Sequence, residues 1–202
     1  YNRYKPRLDY MIEKYGEEFT MDNYGTVFSV EHPDWNFNVK YLEQTGCIAD
    51  NYIVFLRRNE IKSEIENILT DIYGNCKISV LPEWFAPPST TKDTTSTELL
   101  SAAFQGEANC MVIVCYTTAP IKNRDADLVD AIQAIQENGY AFTFCVRYTN
   151  GEIFEKIPDE HYREFPLDMK RYYCKTRSYI WGKSCWDYEW EEGQLSDMKE
   201  TD

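Results

Sequence analysis

The feature that most constrains the fold is the segment from Asp50 to Gly74, because it has the apolar rhythm of one long helix. Apolar side chains return every three or four residues, which is the spacing of one stripe on a helix and not of a strand. We predict that Asp50 accepts a hydrogen bond from a free backbone N–H at the start, and that Gly74 ends the helix in the left-handed conformation. The stripe consists of Ile61, Ile65, Ile68, Leu69 and Ile72.

The beginning of this segment has a second interpretation. Tyr52, Val54 and Leu56 also follow the alternation of a strand. A helix throughout is favoured, and a strand, a turn and then the helix is the alternative. Under both interpretations the segment is structural, since no reactive arrangement of side chains lies on it.

Helices and strands are predicted on both sides of this segment. The run 111–116 is continuously apolar, as expected of a central strand covered on both faces, and the stretch 111–148 fits a parallel crossover. Asn150-Gly151 is typical of a hairpin turn. We therefore predict an α+β fold with a mixed or largely antiparallel sheet and helices packed on at least one face. The further helices are predicted at 8–15 and 128–135, and the strands at 26–30, 35–41, 76–81, 111–116, 140–148 and 153–157.

The chain is predicted to be a single compact unit of 202 residues, with a possible division into two halves. The stretch 86–95 is rich in Pro and Thr and lacks apolar content, which indicates an exposed connection. It would join halves at 1–85 and 96–202. Just after it, Thr95 and Glu98 match a capping box for a short helix.

Charge and composition exclude several classes of function. The chain has 34 acidic and 21 basic side chains, a net charge of −13, and no basic stripe, so nucleic-acid binding is not expected. No apolar run approaches the roughly 18 residues of a membrane-spanning helix. The chain begins at Tyr1 without an initiator Met, and we expect that a segment such as an export signal was removed upstream.

The seven cysteines follow no metal-binding pattern. No CxxC pair occurs, and two histidines cannot complete the usual zinc sites, so neither a metal nor a cofactor is predicted. The favoured interpretation is that most of the thiols are free and buried. The alternative is one or two disulfides in an oxidising compartment, for which Cys174 and Cys185 are the first pair to test.

Reactive constellations are weak in this sequence. Glu160, His161 and Glu164 lie close together, but an exposed turn explains them as well as an acid–base site does. Cys115 and Cys145 lie within apolar strands, where a thiolate is disfavoured. Phosphate-binding loops and the G-x-S-x-G nucleophile motif do not occur.

Aromatic residues cluster with acidic residues near the C-terminus. Exposed Trp and Tyr side chains stack on sugars or anchor a protein partner. Such an acidic aromatic patch would suit a cationic peptide or a glycan, whereas in the alternative interpretation these rings cover the open end of the sheet. The candidate binding residues are Trp181, Trp186, Tyr188 and Trp190.

Two stretches carry a resemblance to known proteins. LDYMIEKYGEEFT at 8–20 and DNYIVFLRRNEIKSEIENIL at 50–69 resemble signatures of small uncharacterised bacterial exported proteins, often lipoproteins. The resemblance covers roughly the first 85 residues. It implies an extracytoplasmic location behind a removed signal or an upstream lipid anchor, and it transfers no catalytic residue.

Two functional hypotheses follow from these observations. The first is an extracytoplasmic, non-enzymatic binding or interaction module of the bacterial cell envelope, secreted or membrane-anchored, with a protein, peptide or glycan as partner. The alternative is a hydrolase whose site is assembled from dispersed residues near His161. A cytoplasmic location with reduced thiols is the alternative for the compartment.

Overall fold

The computed structural model describes residues 3–43, 45–101, 110–158, 174–181, 184–187 and 190–192, the last three ranges by backbone alone except at Trp190. Five helices and ten strands are defined in these ranges. The helices are α1 (Lys5–Tyr15), α2 (Tyr52–Tyr73), α3 (Ser96–Leu100), α4 (Arg124–Glu137) and α5 (Gly151–Lys156). The strands are β1 (Phe19–Met21), β2 (Val27–Ser29), β3 (Val39–Leu42), β4 (Cys47–Asp50), β5 (Cys76–Pro82), β6 (Met111–Thr117), β7 (Phe142–Tyr148), β8 (Cys174–Trp181), β9 (Ser184–Asp187) and β10 (Glu191–Glu192).

The main sheet has the strand order β10-β8-β7-β6-β5, and β9 pairs with β8 beside β10. Strands β6 and β7 are parallel and are connected through α4, while the other neighbouring pairs are antiparallel. The α+β fold with a mixed, largely antiparallel sheet is therefore confirmed. Helices α2 and α4 pack on one face of this sheet, and α5 contributes Phe154 to a smaller apolar cluster with Val112, Val114 and Tyr116.

Strand β6 is the centre of the core. All seven of its residues are buried, as its continuously apolar sequence predicts. Alternate side chains point to opposite faces of a strand, so Ile113 and Cys115 join the larger cluster under the helices while Val112 and Val114 join the smaller one.

Helix α2 confirms the main sequence prediction. Ile61, Ile65 and Leu69 have no exposed surface, and they face the sheet. The helix begins at Tyr52, directly after β4, so the strand-like alternation from Tyr52 to Leu56 is helical. Gly74 follows the helix with a positive φ of 65°, as predicted, but its ψ of −123° lies outside the left-handed helical region, in a conformation that L-residues rarely adopt.

A second layer covers the first half of α2. Helix α1 and the hairpins β1–β2 and β3–β4 build it, and aromatic side chains fill it. The Tyr52 ring meets the rings of Tyr15, Phe19 and Phe37 at centroid distances of 4.9, 5.2 and 4.8 Å. Edge-to-face contacts of this kind add to the hydrophobic stabilisation of the layer.

Three local predictions are wrong, the strand at 153–157 among them, because residues 153–156 belong to helix α5 (Gly151–Lys156). Asn150-Gly151 does not form a hairpin turn: the Asn150 side chain accepts the N–H of Ile153 at 2.8 Å and begins helix α5. Asn favours helix N-caps as well as turns, and Gly151 does not have the positive φ that the hairpin turn needs. The predicted strand at 35–41 forms only at its end, as part of β3 (Val39–Leu42).

The Pro- and Thr-rich stretch 86–95 is packed against the N-terminal layer. Ala86, Thr90 and Thr94 are buried, and the Ala86 N–H donates to the Asp50 carbonyl at 2.8 Å. The Arg57 guanidinium donates to the carbonyl oxygens of Thr94 and Lys92. Residues on both sides of the stretch share one hydrophobic cluster. The capping box of Thr95 and Glu98 is confirmed at the start of α3.

Among the described residues, no helix combines the length and the apolar content that crossing a bilayer requires.

The conformation of Gly74 gives a stability prediction. Gly74→Ala should lower the free energy of unfolding by about 1–2 kcal/mol, because a Cβ is strained at positive φ. Gly151→Ala is the control, since Gly151 lies in the first turn of a helix without positive φ and has open space around it. Urea unfolding of both variants measures the difference, and equal midpoints would contradict the prediction.

Candidate functional site

A buried carboxylate organises the N-terminal layer. Asp50 has no exposed surface, and each of its carboxylate oxygens accepts two hydrogen bonds. Oδ1 accepts the Tyr15 hydroxyl at 2.6 Å and the Tyr52 N–H at 2.9 Å. Oδ2 accepts the Tyr10 hydroxyl at 2.8 Å and the Lys14 ammonium at 2.7 Å. The predicted hydrogen bond from the N–H at the start of α2 to Asp50 is thus confirmed, and it is one of the four that this carboxylate accepts.

Lys14 extends this network to a distant part of the chain. Its ammonium lies 2.9 Å from the Tyr10 hydroxyl and 2.9 Å from Thr90 Oγ1, in addition to the bond to Asp50. All three protons of the ammonium therefore have partners. A buried ion pair is stable only when its remaining hydrogen bonds are satisfied, and here they are.

The network has an electrostatic consequence for its tyrosines. Burial, and then the nearby Asp50 charge, raises the pKa of Tyr10 and of Tyr15 far above the ordinary value of about 10. Both phenols stay protonated and donate to the carboxylate, and the Tyr10 hydroxyl also accepts from Lys14. The arrangement therefore joins α1 to the end of β4 and the start of α2.

Tyr52 connects this buried network to the surface. Its hydroxyl donates to Glu17 Oε2 at 2.5 Å and lies 3.3 Å from Ser29 Oγ. Burial, and then the hydrogen bond to Glu17, raises the pKa of Tyr52. Glu17 is half-buried, so one of its oxygens is fixed while the carboxylate stays in reach of solvent.

A column of stacked rings lies against Tyr52, whose ring centroid is 5.5 Å from that of Trp35. The His32 imidazole lies parallel to the Trp35 indole, with ring centroids 3.8 Å apart. On Trp35, the Arg58 guanidinium carbon lies 5.1 Å and the Phe55 ring 5.6 Å from the indole. Glu31 reaches to 4.0 Å from His32 Nε2, and its side chain is 72% exposed. His32 has 32% of its side chain in solvent.

We call Glu17, Glu31, His32 and Trp35 the acidic–aromatic surface. The Glu31 carboxylate lies 4.0 Å from an imidazole that is stacked on the Trp35 indole, and Glu17 is joined to the same layer through Tyr52. A cation is attracted to carboxylates and to aromatic faces alike, and a guanidinium also stacks on planar rings. The arrangement therefore suits a cationic side chain.

The same surface does not form a nucleophile and base pair. Ser29 Oγ accepts the backbone N–H of His32 at 3.0 Å and contacts the Tyr52 hydroxyl, while the imidazole lies flat on Trp35. A catalytic serine needs its hydroxyl directed at a basic ring nitrogen. In the described part of the chain, no group of three His, Cys, Asp or Glu side chains could hold a metal ion.

The predicted C-terminal binding residues are only partly described. The side chain of Trp190 is half-buried: its Nε1 donates to Asp125 Oδ1 at 2.7 Å, and its ring lies 5.9 Å from that of Tyr148. Trp181 lies at the end of β8, and Trp186 on β9 pairs with Tyr179. Tyr188 lies outside the described residues, as do His161 and its two neighbouring glutamates.

The strand register bears on the predicted disulfide. Cys185 pairs with Ile180 on β8, whereas Cys174 is the first residue of that strand. Six residues of strand correspond to about 20 Å, and the Cα atoms of a disulfide lie within about 7 Å. A bond between these two cysteines would require a different register.

The five cysteines whose side chains are described are not joined in disulfides. Cys110 and Cys115 are buried, and burial raises the pKa of Cys110 to about 12 and that of Cys115 well above its usual value. These two therefore behave as the small hydrophobes that the sequence predicts. Cys76 and Cys145 are half-buried, and Cys47 is exposed.

Comparisons of the chain with protein-family models, with curated proteins and with solved structures found no match.

Sequence reasoning missed both the Asp50 network and the acidic–aromatic surface. The side-chain partners of Asp50 lie 35 to 40 residues away along the chain, and Lys14 and Thr90 are 76 residues apart. One signal was present: Tyr10 and Lys14 sit four residues apart on a predicted helix, beside its apolar stripe. A polar pair in that position indicates a buried partner.

The buried ion pair generates the second prediction. Lys14→Met should lower the free energy of unfolding by about 3–5 kcal/mol, because it leaves the Asp50 charge buried without its cation. The matched control on the same helix is Lys5→Met, which removes an exposed pair with Asp9 worth about 0.5 kcal/mol or less. Chemical denaturation of the two variants measures both effects, and similar losses would contradict the buried role of Lys14.

The third prediction concerns alkaline pH. Five tyrosines have raised pKa values in the folded state: those of Tyr10, Tyr15, Tyr52 and Tyr73 lie above 12 and that of Tyr140 is about 12. Because the unfolded chain loses these protons near pH 10 and the folded chain keeps them, stability should be complete below about pH 10 and fall as pH rises above it. Urea unfolding across this range measures the fall.

Tyr73→Phe provides the control for that experiment. The Tyr73 hydroxyl is buried without a hydrogen-bond partner among the described residues. Its removal should leave stability at neutral pH unchanged or raised by about 1 kcal/mol, and it should make the alkaline fall shallower by one proton. A destabilised Tyr73→Phe variant would show that the hydroxyl has a partner.

Proposed function

We propose that the protein is a non-enzymatic, extracytoplasmic binding module of the bacterial cell envelope, and that it recognises a cationic side chain of a peptide or protein partner. The observation that carries the proposal is the acidic–aromatic surface, where Glu31 lies beside His32 stacked on Trp35 and Glu17 is held by Tyr52, whose ring lies 5.5 Å from that of Trp35. An arginine side chain of the partner would stack on the imidazole and pair with the carboxylates.

The net charge of the chain supports a cationic partner. At −13, the protein attracts a positively charged molecule over a distance of about 10 Å at moderate ionic strength. Such attraction raises the rate of encounter more than the final affinity. The fixed rings then supply the specific contact.

Two carboxylates accept hydrogen bonds inside the fold and hold its elements together, which favours a binding role over catalysis. Asp50 is satisfied by four donors, and Glu64 accepts hydrogen bonds from Ser96, Thr97 and Tyr140. Both side chains join separate elements of the fold. Glu31, by contrast, is largely exposed and is free to meet a partner.

The extracytoplasmic location rests on the resemblance of 8–20 and 50–69 to bacterial exported proteins. In the structure these two stretches are the end of α1 with β1, and the beginning of α2, and they contact each other through Tyr15 and Tyr52. Their shared role is to build the layer that carries the acidic–aromatic surface.

A peptide titration tests the proposal and is the fourth prediction. A fluorescent arginine-rich peptide should bind the protein, and Glu31→Gln should weaken the binding about fivefold, because one carboxylate is lost from the surface. Glu152→Gln is the matched control: it makes the same charge change on α5, whose side chains pack on the other face of the sheet. Fluorescence anisotropy at two salt concentrations measures both.

Three outcomes would contradict the proposal. Equal weakening by the two variants would show that attraction is non-specific, and a neutral oligosaccharide that binds better than the peptide would show the wrong ligand class. Cleavage of the peptide during incubation, seen by mass spectrometry, would show that the protein is an enzyme.

A further inference from the structure

A short basic segment lies at the start of α1 although the protein as a whole is acidic. Arg3, Lys5 and Arg7 lie where α1 begins, and the first turn of this helix has no acidic residue. The remaining chain carries 18 basic and 34 acidic side chains, a net charge of −16. The helix dipole disfavours cations at a helix start, so folding stability does not explain this cluster.

Tyr4 fixes the position of both arginines. Its ring lies against Gly25 so closely that a Cβ at that glycine would come within 2.4 Å of a ring atom. The guanidinium carbons of Arg3 and Arg7 lie 5.9 and 5.1 Å from the centroid of the same ring. A guanidinium that stacks on a ring keeps its N–H groups available at its edge.

The two arginines make no salt bridge within the described part of the chain, whereas Lys5 binds Asp9 at 2.6 Å. Unpaired arginines are unexpected in a protein with so many carboxylates. Their positive charge is therefore available to an external anion.

An exposed aromatic ring lies in the turn that Tyr4 contacts. Tyr24 precedes Gly25 in the turn between β1 and β2, and it is 86% exposed. Asp22 closes this turn by accepting the N–H groups of Tyr24 and Thr26 at 2.8 and 2.9 Å. The Tyr24 ring therefore belongs to the residue next to Gly25, against which the Tyr4 ring lies.

We propose that this basic tip, formed by Arg3, Tyr4, Arg7 and Tyr24, docks on the anionic phospholipid headgroups of a bilayer. The guanidinium groups bind headgroup phosphates, and the Tyr24 ring enters the interface, where tyrosine is enriched in membrane-associated proteins. The inference does not depend on the acidic–aromatic surface or its ligand.

The shape of the charged region favours a bilayer over other polyanions. A flat surface meets the tip alone, while the acidic remainder stays in solvent, where salt screens it beyond about 10 Å. A nucleic acid would need a basic path that continues along the protein, and the net charge of −16 outside the cluster opposes one.

Vesicle sedimentation tests the inference. The full chain should bind vesicles of equal parts phosphatidylglycerol and phosphatidylcholine at low salt, and pure phosphatidylcholine much less. Arg3→Gln with Arg7→Gln should reduce partitioning about 25-fold, which corresponds to roughly fivefold for each arginine. Tyr24→Ser should weaken vesicle binding but leave the salt dependence of that binding unchanged.

Control variants distinguish binding through the basic tip from attraction by positive charge elsewhere on the protein. Lys122→Gln with Lys156→Gln makes the same charge change on other elements, and it should leave partitioning unchanged. Arg3 precedes α1, so Arg3→Gln alone should leave stability unchanged. Thermal unfolding should show that its midpoint equals that of the wild type.

Any of four results would overturn the inference. These are absence of vesicle binding, equal binding to both vesicle types, equal loss in the lysine control, and binding of a single-stranded oligonucleotide as tight as that of the anionic vesicles.

Discussion

The buried carboxylate of Asp50 is the interaction on which the N-terminal layer depends. A charge without solvent is costly unless hydrogen bonds and an opposite charge replace water, and here two phenols, a backbone N–H and an ammonium do so. These donors come from α1 and from the first turn of α2. Asp50 itself ends β4, so one side chain fixes the meeting point of a strand and two helices.

Helix α2 joins this layer to the main sheet. Its first half lies under the aromatic side chains of Tyr15, Phe19 and Phe37, and its second half places Ile61, Ile65 and Leu69 toward the sheet. The acidic–aromatic surface depends on the same helix, because Tyr52 holds Glu17 and Phe55 and Arg58 lie on Trp35. The surface is therefore built on the same helix that packs against the main sheet.

Regular elements could be predicted from the sequence, whereas the candidate site could not. The stripe of α2 and the apolar run of β6 repeat with the period of their structures, so each was readable from neighbouring residues. Asn150 shows the limit of this method, since the same residue begins turns and helices, and contacts with Phe154 decide between them. His32 and Trp35 belong to a segment without helix or strand. No regular repeat in the sequence therefore indicates which way their side chains point.

The Lys14–Thr90 hydrogen bond has a consequence for the order of folding. It joins residues 76 positions apart, so α1 has its complete set of partners only after nearly half of the chain has left the ribosome. Contacts of such long range form late and slowly because closing the intervening loop costs entropy. Until then the Lys14 ammonium lacks one of its three partners, and the newly made chain is open to chaperones and to misassembly during this interval.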